Sequence, residues 1–476
     1  MRRREFCLSA SGLAAASALT AQTPKAGPYT PEWPSLDSHK IPSWYNDAKL
    51  GIFIHWGLYS VPAWAPTSGE LGKVPMNRWF YENAYAEWYL NSLRLKDSPT
   101  YKHHVAKYGA NFDYYKFAAD FEKGIQSWKP EAWASLFKNT HAQYVVLTTK
   151  HHDGFTLWPS KVPNPKRPGQ KLSVTRDLAG ELTTAVRGAG MKMGLYYSGG
   201  LDWTFESRPI AQLPDLYSTA PKTEEYGRYA EAHWRELIDR YQPSVMWNDI
   251  AYPPTGHVQD LFATYYNKVS DGVINNRFSV PWADFTTPEY AKYDKITEKK
   301  WESCRGLGFS FGYNQAEGPD QVIASDKLIE LFVDIVSKNG NLLLNIGPKP
   351  DGSISDIQVD RLKALGAWLD KNGEGIFASH PWVRPAASAP ESGDIRFTKK
   401  GDAVYAYLFK SPKGGEVKIP GVIAAPGTKV TVLGTGETLS HTQQGVDLMV
   451  KAPTKAAGPY ALGLKMSPSP WQAARE

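Results

Sequence analysis

The feature that most constrains the fold is an alternation. Short β-rich runs recur at residues 50–56, 143–149, 191–198, 244–247, 272–275 and 341–346, with amphipathic helical stretches between them. The clearest helix is 223–241, where Tyr226, Ala230, His233, Trp234, Leu237, Ile238 and Tyr241 fall at three- and four-residue spacing. Residues 181–188, 325–338 and 356–372 read the same way. Strand and helix in turn imply a parallel sheet with helices outside, and an extent of about 350 residues suits a (β/α)8-like, TIM-type barrel. Only six strand runs are legible, so an irregular barrel is expected. After Phe377 the texture changes: 394–397, 403–408 and 429–433 are short strands separated by Gly and Pro turns. That pattern predicts a C-terminal antiparallel β-sandwich over 379–476, following a barrel over 30–378.

The first 21 residues have a different logic. Arg2, Arg3 and Arg4 precede Phe6-Cys7-Leu8 and a small, apolar run up to Ala21. This is the layout of a twin-arginine-like export signal, and the run is too short and too rich in Ala and Ser for a membrane anchor. The expected location is therefore periplasmic or secreted. Removing three Arg and one Glu with this segment lowers the formal charge from +6 to +4. No Lys/Arg block remains that would read as a nucleic-acid surface. Of two cysteines, Cys7 would leave with the signal, and Cys304 alone can form neither a disulfide framework nor a Cys-based zinc site.

In a barrel of this kind the chemistry sits at the carboxyl ends of the strands. Those positions carry His55-Trp56-Gly57, then Lys150-His151-His152-Asp153-Gly154, then Tyr196 and Tyr197, then Asn248-Asp249. Asp249 follows an apolar strand directly, beside Trp247. A carboxylate there suits attack on an anomeric carbon, and it would need a second carboxyl group as proton donor. Asp284, Glu289, Glu298 and Glu302 all follow, and position alone does not choose among them. Aromatic residues make up 13% of the chain, an excess that sugar-binding clefts often show. Adjacent histidines on one strand point to opposite faces, which argues against His151 and His152 sharing a metal ion.

Several strings are together recognisable. Ile54-His55-Trp56-Gly57, Lys150-His151-His152-Asp153-Gly154-Phe155, Gly194-Leu195-Tyr196-Tyr197-Ser198, Trp247-Asn248-Asp249, Trp301-Glu302-Ser303-Cys304, Ser310-Phe311-Gly312-Tyr313 and Asn345-Ile346-Gly347-Pro348 resemble α-L-fucosidases of glycoside hydrolase family 29, bacterial and exported. The resemblance runs through about residues 40–380 in the expected order. It implies a barrel followed by a β-sandwich and a retaining double displacement on terminal α-L-fucose. Asp249 matches the nucleophile. Glu289, in Thr287-Pro288-Glu289-Tyr290, matches the general acid/base of one branch. His55, Glu87, Trp88, His151 and His152 match positions that bind sugar hydroxyls, Tyr196 and Arg277 line the same pocket, and Trp247 and Phe311 match an apolar wall for the sugar's methyl group.

The resemblance implies a fucosylated oligosaccharide or glycoconjugate as substrate, with no cofactor, no metal, no nucleic acid and no membrane anchor in the mature chain. Homo-oligomerisation, linkage preference and transfucosylation stay open. Two competing expectations are a metal-dependent barrel hydrolase using His151, His152 and Asp153, and a non-catalytic fucose-binding protein. Residues 90–124, with His103 and His104, would either shape a leaving-group site or form ordinary surface.

Overall fold

Seven parallel strands form one curled sheet in the computed structural model, which describes residues 27–410, 412, 414–455 and 458–472. The export-signal segment and Cys7 lie outside the described residues. The strands are β1 (Leu50–Ile54), β2 (Tyr144–Lys150), β3 (Lys192–Ser198), β4 (Val245–Asp249), β5 (Val273–Ile274), β6 (Trp301–Gly306) and β7 (Gly340–Ile346), in the spatial order 5-4-3-2-1-7-6. Six of them are the runs expected from sequence; β6 is additional.

The two sheet edges, β5 and β6, are joined by an irregular segment. Asn275 bridges Phe285 in parallel, Thr286 bridges Trp301, and Glu289 bridges Cys304. The Asp284 amide donates to the Ile274 carbonyl, and the Glu302 and Cys304 amides donate to Thr286 and Pro288 carbonyls. Residues 284–289 thus stand in for an eighth strand and complete the ring in chain order. The expected irregularity of the barrel resides here.

A period of two sorts the barrel's side chains. Ile52, Ile54, Val145, Leu147, Met193, Leu195, Met246, Leu342 and Leu344 face the surrounding helices and pack in one core. Phe53, Tyr144, Val146, Tyr196, Val245, Trp247, Val273, Cys304 and Leu343 point inward and form a second. Gly51 permits this filling: a Cβ there would stand 2.4 Å from the Tyr144 ring. The helix expected at 223–241 is Glu224–Tyr241, started by the Thr223 hydroxyl accepting the Tyr226 amide. Residues 90–124 are largely helical, and their histidines contact aromatic neighbours: His103 stacks on Trp64, and His104 pairs with the Tyr89 hydroxyl at 3.0 Å.

Beyond helix Asp356–Asn372 the chain forms antiparallel sheets. The largest has six strands, including β8 (His380–Ala389), β9 (Gly393–Lys400) and β10 (Ala403–Leu408). It docks on the barrel through specific polar contacts. Arg396 on β9 reaches Asp334 of helix Ser325–Ser337, Trp368 Nε1 donates to the Ala461 carbonyl at 2.8 Å, and the Thr398 hydroxyl donates to the Gly375 carbonyl.

Candidate active site

The floor of the barrel mouth is built from inward-pointing residues of β4 and β6. Glu302 is fully buried: one oxygen accepts from Trp247 Nε1 at 2.9 Å, the other from the Tyr45 and Tyr144 hydroxyls. Burial pushes its pKa up, against those hydrogen bonds. With Glu302 below it and the Arg277 guanidinium 4.7 Å above its ring, the Trp247 indole has a fixed tilt.

Arg277 organises what lies above. Its Nη1 donates to Asp249 Oδ1 at 2.9 Å and its Nη2 to Glu289 Oε2 at 2.8 Å, while Nε is anchored on the Thr287 hydroxyl. One guanidinium therefore bridges the two carboxylates. Asp249 ends β4, and the two residues after it have φ of 53° and 71°, a sharp turn that leaves its side chain at the mouth. Its other oxygen accepts from the Tyr196 hydroxyl at 2.9 Å, and the Ile250 amide donates to Oδ1. Glu289 comes from the irregular segment and accepts at Oε1 from the Tyr85 hydroxyl at 2.8 Å.

Around this pair lies a cavity of about 280 Å³, at the small end of ligand pockets and sized for one sugar ring rather than a chain. Asp249, Glu289, His55, Glu87, Trp88, His151, His152, Tyr196, Trp247, Arg277 and Phe311 all line it. The histidines are neutral. Burial drives His55 down to about 3, and burial with neighbouring cations lowers His151 and His152 well below the usual value.

Hydrogen bonding fixes two tautomers. Asn345 Nδ2 donates to the Phe311 carbonyl, so its Oδ1 receives a proton from His55 Nδ1, at 2.7 Å. Ser198 gives its only proton to the Leu201 carbonyl, so His152 Nδ1 donates to Ser198 Oγ, at 2.6 Å. Each ring is left with a bare Nε2, an acceptor for a hydroxyl proton. Glu87 complements them. Burial raises its pKa to about 8, so at neutral pH it holds a proton, with Oε2 accepting the Gly312 amide at 2.7 Å. Phe311 and Trp247 supply flat apolar surface, with Phe53 5.0 Å from the Trp247 ring.

Some expectations need correction. β2 stops at Lys150 and the chain turns through Gly154, with φ of 78°, so His151 and His152 do not diverge: both enter the pocket, ring centroids 4.0 Å apart. Asp153, the third group of the metal reading, points away and accepts from the Tyr114 hydroxyl and the Phe155 amide. Among the described residues, no cluster of three His, Cys, Asp or Glu side chains has the geometry to hold a metal ion. Of the alternative acids, Glu302 is sealed in the floor, Glu298 is exposed in a loop, and Asp284 is buried against His39 and Tyr266.

Tyr85 is not legible as a site residue from sequence, because its contact with Glu289 depends on a fold-over from a distant loop. Cys304 stands in a recognisable motif, but only the fold places its Sγ 3.4 Å from Arg277 Nη2.

Comparison with known proteins gives a consistent picture. The family profile "Alpha-L-fucosidase" matches residues 16–374. The chain is similar to the tissue alpha-L-fucosidase of Bos taurus, 36% identical over 89% of this chain and 87% of that one. It is also similar to the alpha-L-fucosidase of Dictyostelium discoideum, 33% identical over 86% and 87%. Among solved structures, a Thermotoga maritima alpha-L-fucosynthase superposes with a TM-score of 0.87 at 45% identity, covering 92% of this chain and all (100%) of that one. The Thermotoga maritima alpha-fucosidase in complex with fucose gives 0.84 at 43%, with the same coverage.

Proposed function

The chain belongs to the α-L-fucosidase family, and from that premise we propose that it hydrolyses terminal α-L-fucosides with retention, by double displacement. The observation that carries this reading is the bridge from Arg277 to both Asp249 and Glu289. Retention needs two carboxyl groups about 5–5.5 Å apart, and a shared guanidinium holds them close.

In the first step Asp249 attacks the anomeric carbon as the glycosidic C–O bond breaks, and Glu289 gives its proton to the departing oxygen. In the second, Glu289 takes a proton from water, whose oxygen attacks the same carbon and releases Asp249. Negative charge passes from Asp249 to Glu289 and back. The guanidinium contacts both and serves each state without moving, which is electrostatic preorganisation. Neutral His55 and His152 would accept from sugar hydroxyls and protonated Glu87 would donate to one, while Trp247 and Phe311 would cover the methyl group. A hydroxymethyl in that place would lose a hydrogen bond to water without replacement.

The Arg2-to-Ala21 pattern supports export from a bacterial cell to the periplasm or medium, with fucosylated oligosaccharides or glycoconjugates as substrates. The test of the mechanism is turnover of 4-nitrophenyl α-L-fucoside by Asp249→Ala and Glu289→Ala. Collapse in Asp249→Ala with rescue by azide as the β-fucosyl azide is the expected result. Full activity in Asp249→Ala would refute the assignment, and binding of fucose without turnover by the wild type would favour the binding-protein reading.

A further inference from the structure

The pocket's outer wall has a chemistry unlike its depth. Its acidic and basic groups, Glu87, Asp249, Arg277 and Glu289, bond one another or the inner loops, whereas the mouth adds Leu71, Met76, Leu213 and Leu216. Met76 is 43% exposed and Leu213 46%, and the neighbouring Tyr217 is 63% exposed. Helix Leu213–Ser218 buries none of its residues.

Of this helix's apolar side chains only Leu216 leans on the inner core, and polar contacts do most of the holding. A reciprocal capping box between Gln212 and Asp215 starts it, Arg208 Nη2 donates to the Ser218 carbonyl, and Asn91 clamps the Ile210 backbone through both its amide N–H and its amide oxygen. A fixed ledge that keeps Met76 and Leu213 in water, at the rim of a sugar-sized pocket, has an unspent apolar surface.

We propose that this ledge receives an apolar aglycone, so that the preferred substrates are α-L-fucosides whose group next to the glycosidic oxygen is alkyl or aryl. The proposal rests on the fucosidase reading and names the substrate class of that same site. Position supports it. Glu289 must reach the glycosidic oxygen, and from Glu289 outward run Tyr85, which bonds it, Trp79, whose ring meets Tyr85 edge-on at 5.0 Å, and Met76, which begins the short helix ending at Trp79. Met76 and the leucines line the same pocket as Glu289, within reach of a group that leaves from the oxygen Glu289 protonates. The three leucines cannot hydrogen bond and the Met76 thioether accepts only weakly, so a hydroxyl-rich sugar lying there would shed water with little compensation. An alkyl chain would gain what the leucines gain.

The test uses methyl, ethyl, butyl and hexyl α-L-fucosides, whose alcohols are nearly equal in acidity, so leaving-group reactivity is constant. Full burial of a methylene is roughly a four-fold gain, and coverage from one side about two-fold. Accordingly kcat/KM should rise about two-fold per carbon, and the slope should flatten in the double variant Met76→Ser/Leu213→Ser, whose exposed side chains are not needed for folding. Turnover of 4-nitrophenyl α-L-fucoside tests the premise separately. If that substrate turns over but the alkyl series is flat, the aglycone proposal is overturned. A flat series with a dimer that dissociates in the double variant would also overturn it, assigning the ledge to a second copy of the chain.

Discussion

Replacing Arg277 by Met removes the cation that contacts both reacting carboxylates. During the first displacement Asp249 gives up its charge to a covalent bond while Glu289 gains one. The lost stabilisation in the transition state is therefore one charge-assisted hydrogen bond, the 2.8 Å contact from Nη2 to Glu289 Oε2. Such a bond is worth about 1.5–3 kcal/mol, which converts to a loss of roughly ten- to 150-fold in kcat. Arg277→Lys keeps the charge but cannot reach both carboxylates at once, and should fall between wild type and Arg277→Met.

The assay is steady-state turnover of two substrates. One is methyl α-L-fucoside, whose leaving group needs protonation; the other is 4-nitrophenyl α-L-fucoside, whose leaving group hardly does. The loss should be larger for the methyl fucoside, because the developing charge on Glu289 matters only when its proton moves. Equal losses on both substrates, or a loss confined to KM, would refute the charge-passing role and leave Arg277 as a sugar-binding group.

Other outcomes follow from the same geometry. Glu87→Gln should flatten stability against pH: the buried wild-type carboxyl titrates at about 8 and an unfolded one near 4.5, so the fold holds an extra proton between them and loses stability as pH rises through that window. Denaturant midpoints at pH 5 and pH 8 would show it, and an equal decline in both proteins would count against it. Trp247→Phe strips the donor from Glu302 Oε1 inside the barrel and should cost about 1–3 kcal/mol by urea unfolding. For Asp334, burial raises the pKa, but hydrogen bonds from Lys292, Lys338 and Arg396 outweigh it and hold it at about 2. Its stabilising effect is complete above pH about 4 and fades as pH falls toward 2, so Asp334→Asn should be destabilised at pH 6 and approach wild type at pH 2 by circular dichroism.

Where the sequence could be read, the reason is local. β1 to β5 and β7 are largely apolar because both faces are covered, and β1 to β5 run on into the polar residues of the mouth. β6 escaped because Trp301-Glu302-Ser303-Cys304-Arg305 has no apolar run: Glu302 is satisfied by Tyr45, Tyr144 and Trp247, partners far away in sequence. The closing segment has no periodicity at all, being held by single bridges rather than a ladder. His151 and His152 depended on where β2 stops, a boundary that composition does not mark. Tyr85 and the leucines of the mouth belong to excursions between strands, whose placement only tertiary contacts decide.

The segment from Asp284 to Glu289 makes the ring a belt with a buckle. β6, β7, β1 and β2 are locked to one another by continuous ladders, whereas this stave pairs with its neighbours through isolated bridges and side-chain hydrogen bonds, and one of the two working carboxylates is fastened to it. Opening the buckle would cost far less than unfolding the belt, and it would carry Glu289 away while Asp249 stayed put. Heat or denaturant should then silence the protein before it melts, with the sugar pocket's histidines still in place.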